Sequence, residues 1–172
     1  GALIQGVPSA TVSRVVTDSR IAAREDLFVA LVGERFDAHD FVPQVADQAA
    51  SAMILSSLPK QTGSFHGGIV YVKDTLKALQ ELARGYRKHL ADLRVVGVTG
   101  SNGKTSTKDF LKSVLSAAGS VSATLGNFNN HIGLPLTILS TKGDDSYGVW
   151  EMGMNHPGEI EVLAEIAGPN AG

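Results

Sequence analysis

A chain of 172 residues with a net charge of −2, 43% apolar and 19% charged residues suits one large domain or two small ones with a substantial core. The near-neutral balance excludes a nucleic-acid footprint or an anionic-membrane footprint, and no apolar run approaches the roughly 18 residues that a bilayer span needs. The absence of cysteine excludes disulfides and thiolate metal sites and is compatible with a reducing cytosol; no signal peptide, internal repeat or low-complexity segment is visible.

In chain order, Gly6, Pro8 and Ser9 are turn signals before a short strand at Val12 to Val16. Thr17-Asp18-Ser19-Arg20 then reads as a local side-chain-to-backbone turn. Asp26 to Val32 reads as a buried strand ended by Gly33. The polar stretch Glu34 to Asp40 carries acids, Arg35 and His39. Read by itself it is a solvated connection, with Asp40 capping the next helix. Val42, Val45, Ala46 and Ala49 give that helix an apolar face, with Pro43 in its first turn. Ala52 to Leu55 and Gly68 to Val72 are further strands, separated by an exposed loop from Ser56 to Gly67. Asp74 caps a long amphipathic helix with Leu76, Leu79, Leu82, Ala83, Tyr86 and Leu90 at helical spacing. A domain boundary falls near residue 92, where a new unit begins.

That unit opens with Val95, Val96 and Val98 as a buried parallel strand. Thr99-Gly100-Ser101-Asn102-Gly103 makes a glycine turn, followed by Lys104-Thr105 and a helix with Phe110, Leu111, Val114, Leu115 and Ala118 on one face. Strand, glycine loop, Lys-Thr and helix form the layout of a phosphate-binding loop. Glycines let backbone N–H groups turn inward toward an anion, and the helix N-terminus adds its positive end. Lys104 would reach the β- and γ-phosphates, and the Thr105 hydroxyl would ligate Mg²⁺. The pattern is a variant, because Val98 stands where the general consensus has its first glycine.

Beyond it, Val121 to Leu125 is a candidate strand. Asn127, Asn129 and Asn130, bracketed by Gly126 and Gly133, supply amide donors and acceptors in a bendable backbone, or else make a plain surface turn. Leu134 to Leu139 contains Pro135, which favours a short helix or an edge segment. Tyr147 to Gly153 reads as a core strand ending in Glu151, and an acid there suits Mg²⁺ ligation better than a mere buried or loop carboxylate. Pro157 is expected at the first position of a last helix with Ile160, Leu163, Ala164 and Ala167 inward, ended by Gly168-Pro169.

With these pieces in place the chain resembles the Mur ligases. The resemblance rests on Thr17 to Arg20, Asp26 to Phe41, Val98 to Lys108, Gly126 to Thr137 and Glu151 to Ile160, in that order, and spans nearly the whole chain. A phosphate loop written TGSNGKT, without the outer glycine, is how these ligases write theirs. The resemblance implies an α/β fold: a small UDP-binding N-terminal domain over 1–92, then a P-loop central domain with a mainly parallel sheet over 93–172. It implies that Ser19, Arg20, Arg35, Asp37 and His39 bind the UDP-sugar, and that Asn127, Asn129 and Asn130 face nucleotide and substrate. Gly100, Ser101, Asn102, Gly103, Lys104, Thr105 and Ser106 would cradle ATP. Thr105 and Glu151 would hold Mg²⁺, and Lys104 and Glu151 would carry the catalytic charge.

The implied partners are UDP-N-acetylmuramoyl-tripeptide and D-alanyl-D-alanine, joined through an acyl phosphate in peptidoglycan precursor synthesis by a cytoplasmic, monomeric enzyme. GNFNN and EMGMNHPGEI point to this member rather than to its diaminopimelate- or lysine-adding sister. Those sisters, a non-catalytic nucleotide-binding module and a purely structural α/β domain are the alternatives. Two departures stand out: Ala38 replaces a glycine, and Ala23-Arg24-Glu25 replaces a Pro-Gly turn. By length the chain reads as a fragment without the C-terminal ligase domain. It is therefore expected to be inactive in ligation, with an unprotected sheet edge.

Overall fold

Runs of three to five residues suited to strands alternate with helices, and in a computed structural model they pair into two separate sheets. The structure describes residues 1–6, 11–58 and 65–172. Pro8, Ser9 and the 59–64 part of the expected loop lie outside them. The chain divides into two units, Gly1–Leu79 and Gln80–Gly172.

The first unit carries a five-stranded sheet. Its strands are β1 (Ala2–Gln5), β2 (Arg14–Val16), β3 (Asp26–Val29), β4 (Ala52–Leu55) and β5 (Gly68–Tyr71), in the order β1-β5-β4-β3-β2. Strands β2 to β5 are parallel, while β1 is an antiparallel edge. Sequence reading missed β1, a four-residue strand with no alternation to mark it. The expected strand to Val32 stops at Val29. Val32 is exposed and instead bridges Asp37 across a hairpin. Helix α1 (Val42–Asp47) follows a 3₁₀ turn at Ala38–Phe41. The cap of that turn is Asp37, whose carboxylate accepts from the His39 N–H, and Asp40 caps nothing here. Phe28, Met53, Leu55, Val42 and Val45 fill the core between sheet and helix.

The two departures from the family pattern differ in consequence. Ala38 is buried and has no left-handed backbone, so its methyl is tolerated, whereas Glu25 (φ 68°) occupies the conformation a glycine would take.

Helix α2 (Thr75–His89) begins at the Asp74 cap, whose carboxylate accepts from Lys77 N at 2.9 Å. The division between units falls inside it rather than near residue 92. The reason is packing: Ala83 and the following Leu90 and Leu93 join the second core with Val95, Leu134, Trp150 and Leu163. Arg87 fastens this end. It donates to Ala167 O (2.8 Å), Leu90 O (2.8 Å) and Gly168 O (3.2 Å), and its guanidinium lies 5.8 Å from the Trp150 ring. Two helix C-termini thus share one cation, as their exposed carbonyls favour.

The second unit holds β6 (Arg94–Val98), α3 (Lys104–Leu115), β7 (Val121–Ala123), α4 (Gly133–Leu139), β8 (Tyr147–Glu151) and α5 (Glu159–Ala167). The sheet order is β6-β8-β7, all parallel, and Ala171 bridges Val96 in parallel on the far side of β6. Parallel strands put all their C-terminal ends at one edge, and the loops after β6, β7 and β8 meet there. Two expectations needed revision. On α3, Phe110 and Val114 are exposed and Lys108 is buried, so the helix does not present the expected apolar face inward. Helix α5 starts at Glu159 instead of Pro157, because Gly158 before it is left-handed (φ 88°).

In the first unit, Asp26 is buried beside Arg14, with Arg14 Nε on Oδ1 at 2.9 Å and Nη2 on Oδ2 at 2.7 Å. The Arg14 hydrogen bonds hold its carboxyl below the usual range, burial opposes them, and the Ala23 N–H adds to them. A carboxylate lowered in the folded state stabilises above the unfolded value of about 4, and that stabilisation is lost as pH falls through the folded value. Asp26→Asn should therefore flatten part of the acid limb: its deficit in urea midpoint against the wild-type chain should be clear at pH 7 and shrink below about pH 4. A deficit independent of pH would contradict this.

Candidate functional site

At the C-terminal edge of the second sheet, Gly100 (φ 142°) and Gly103 (φ 77°) bend the loop into conformations that side chains resist. Gly103 is the N-cap of α3 and no side chain caps the helix, so its first-turn N–H groups are free donors at the loop. Lys104 Nζ donates to Gly100 O at 2.7 Å, which folds the ammonium back over the loop while leaving further donors for an anion. Gly100, Ser101, Asn102, Gly103, Thr105 and Ser106 are exposed along the rim.

Beneath them lies Glu151, 3% exposed. Oε2 accepts from Thr105 Oγ1 at 3.0 Å and Oε1 from Asn129 Nδ2 at 2.8 Å. The Glu151 N–H donates to Thr124 Oγ1 at 2.9 Å. No cationic side chain lies within ion-pair distance of this carboxylate among the described residues. A buried anion served only by neutral donors is expensive, and its natural complement is a bound cation. The donors are hard oxygens, a carboxylate and a hydroxyl. Among the described residues there is no group of three or more His, Cys, Asp or Glu to build a protein-only cage. That sparse set fits Mg²⁺, which is usually held by one or two carboxylates plus substrate phosphates.

Asn129 is positioned from both sides: its carbonyl accepts from Gly153 N at 2.8 Å, while its amide serves Glu151. Asn130 Oδ1 accepts from Ile132 N and Gly133 N, fixing the start of α4. The asparagine loop is thus both turn and site wall. Lys104, Asn127, Asn129 and Asn130 line a cavity of about 430 Å³, together with His131, Met154, Asn155 and Glu159. Sequence reasoning left those last four out. Glu159 Oε2 accepts from Asn155 N (2.6 Å) and His156 N (3.2 Å), and these bonds, the Asn155 N–H first, lower its carboxyl below the ordinary range. An acid three residues past the chain reversal was the available signal.

In the first unit, the loops after β2 and β3 with α1 enclose a second cavity of about 480 Å³, lined by Thr17, Asp18, Ser19, Arg20, Phe36, Ala38, Phe41 and Gln44. Ser19 and Arg20 are among its lining residues. Asp18 is drawn down to about 2 by the Arg20 side chain and the Arg20 N–H. The aromatics were not foreseen; Phe36 and Phe41 are both exposed, with ring centroids 6.0 Å apart. Arg35 is exposed at the hairpin tip and does not line the cavity. Asp37 and His39 do not line it either. His39 Nδ1 faces Asp37, and Nε2 accepts from Ser56 N at 2.9 Å, so the imidazole pins two loops together with both nitrogens engaged.

Fold and site together define a phosphate-loop α/β protein with a second α/β unit ahead of it. Residues 98–172 match the Mur ligase middle domain. The UDP-N-acetylmuramoyl-tripeptide–D-alanyl-D-alanine ligase of Bacillus subtilis is 46% identical over 91% of this chain and 34% of its own length. The Escherichia coli K12 protein of that name is 42% identical over 94% of this chain and 34% of its own length. Among solved structures, the Acinetobacter baumannii UDP-N-acetylmuramoylalanyl-D-glutamyl-2,6-diaminopimelate–D-alanyl-D-alanyl ligase superposes with a TM-score of 0.89 at 39% identity. It is covered for 36% of its length by 96% of this chain. A MurF ligase of Thermotoga maritima solved in complex with ADP gives 0.82 at 36% identity, over 95% of this chain and 37% of its own. The chain belongs to the Mur ligase family, and it spans about a third of the length of the relatives it matches.

The asparagine loop rests on one close approach. A Cβ at Gly133 would collide with the Phe128 backbone, whereas one at Gly85 on α2 meets nothing within 4 Å. Gly133→Ala should cost about 1–3 kcal/mol by overpacking. Gly85→Ala should be neutral or stabilising by about 0.5–1 kcal/mol. Thermal or urea unfolding of the two variants decides this, and equal stabilities would refute the packing argument.

Proposed function

We propose that the protein carrying this chain is an ATP-dependent ligase that joins D-alanyl-D-alanine to UDP-N-acetylmuramoyl-tripeptide in peptidoglycan precursor synthesis. The named relatives are ligases of that kind. The observation that carries the reading is the buried Glu151 carboxylate, 3.0 Å from the Thr105 hydroxyl beside the phosphate loop. In the proposed chemistry the substrate carboxylate takes the γ-phosphoryl group of ATP, giving an acyl phosphate and ADP. The amine of D-alanyl-D-alanine then attacks the acyl carbon, loses a proton and releases phosphate as the amide forms.

Nucleotide capture is the part of that cycle proposed of these 172 residues. Backbone N–H groups of Gly100–Gly103 and the uncapped start of α3 bind the phosphate oxygens, and Lys104 places positive charge against them. Thr105 and Glu151 would hold Mg²⁺, which when bound neutralises phosphate charge. Asn129 keeps Glu151 oriented, and Asn127 and Asn130 form the wall that the substrate faces. The cavity of the first unit is the proposed UDP site. Exposed Phe36 and Phe41 offer stacking surface to a base, and Ser19, Arg20 and Gln44 offer polar contacts. Arg35, at the exposed hairpin tip, is proposed to meet the diphosphate. Asp37 and His39 act on that site by holding its loops.

Calorimetric titration of the chain tests this. ADP should bind more tightly with Mg²⁺ than with EDTA. Lys104→Ala should weaken ADP at least tenfold, in line with losing charge-assisted bonds of about 1.5–3 kcal/mol. Glu151→Gln should abolish the Mg²⁺ advantage, and UDP binding should be indifferent to both substitutions. ADP binding insensitive to Lys104 and Glu151 would sink the assignment.

A further inference from the structure

Lys108 lies one helical turn beyond Lys104 on α3, between the exposed Thr107 and Asp109. It is instead 6% exposed. Its Nζ donates to Thr124 O at 3.1 Å and lies 3.1 Å from Asp109 Oδ1, a side chain that is itself 63% exposed. Taking an ammonium out of water for one neutral carbonyl and one solvated carboxylate is a poor arrangement for stability. An apolar side chain of similar volume would fill the place at no such cost. Lys108 therefore calls for an explanation beyond packing.

Its partner supplies one. Thr124 is 1% exposed and sits at the end of β7. Its N–H donates to Val149 O on β8 at 3.2 Å, its carbonyl takes Lys108, and its hydroxyl takes the N–H of Glu151. Helix α3 consequently grips Glu151 at two points. Thr105, in its first turn, bonds the carboxylate directly, and Lys108 holds the backbone from which that carboxylate projects by way of Thr124. The pair fixes how the phosphate-loop helix and the acid approach one another.

We infer that Lys108 is a positioning residue for the Thr105–Glu151 cation site, acting through Thr124 and touching neither nucleotide nor metal. The inference rests on the reading of Glu151 as a Mg²⁺ ligand. Residues that orient metal ligands typically affect metal affinity 10–100-fold. The loss should then be confined to the metal-dependent part of nucleotide binding.

The test is titration of ADP into the 172-residue chain with MgCl₂ and with EDTA, alongside urea unfolding without metal. Lys108→Met should unfold at the wild-type urea concentration or above, keep its EDTA affinity for ADP, and lose about tenfold or more of the gain from Mg²⁺. Lys108→Arg, which keeps a cationic donor, should recover part of that gain. Thr124→Val, which removes the acceptor for the Glu151 N–H, should reproduce the selective loss and carries the test should Lys108→Met fail to fold. Variants that match the wild-type chain in both buffers, or lose ADP equally in both, would overturn the positioning role alone. A wild-type chain with no Mg²⁺ gain at all would overturn the Glu151 reading and the inference with it.

Discussion

The buried carboxylate of Glu151 is the constraint on which the second unit turns. It ends the central strand of a parallel sheet, where a charge is costly; Thr105 and Asn129 donate to its two oxygens, and the Thr124 hydroxyl accepts from the Glu151 N–H behind it. None of the three is charged. The two bonds to the carboxylate lower the cost of burying it without supplying a counter-charge. A bound cation, as proposed, would supply that counter-charge beside the phosphate loop.

The first unit reaches a different solution with similar parts. It too is a mostly parallel sheet with its loops at the C-terminal edge, and three of its acids are paired. Asp18 binds Arg20, Asp26 binds Arg14, and Asp37 engages His39. The cavity is faced by the Asp18–Arg20 pair, two aromatic rings and small polar groups. The two cavities therefore differ in chemistry: a lysine, amides and a carboxylate line one, and aromatic rings beside an ion pair line the other.

The phosphate loop, the strand ending in Glu151 and most helices were legible because each has a local signal: valines before glycine, a Pro or Gly at a boundary, a capping Asp74. The resemblance to the Mur ligases was legible for the same reason, since its motifs are contiguous. What escaped depended on contacts between segments distant in sequence. His39 looked like a ligand until Ser56, from another loop, occupied its second nitrogen. Nothing marked Lys108 as buried, and Phe110 reads as inward, because helical spacing alone cannot say which of two faces meets the sheet. Strand β1 has too few residues for a period, and only its partner β5 defines it. Phe36 and Phe41 were unmarked because apolar residues in a loop carry no pattern.

In the proposed function a cation is held between Thr105 and Glu151 when nucleotide is bound. Mn²⁺, a paramagnetic ion that favours the same oxygen ligands, reports on that directly. In nuclear magnetic resonance spectra of the chain with ADP, substoichiometric Mn²⁺ should broaden the Thr105 and Glu151 amides and the Asn129 side-chain amide before any others. Broadening centred away from these residues, or equal with and without ADP, would contradict it.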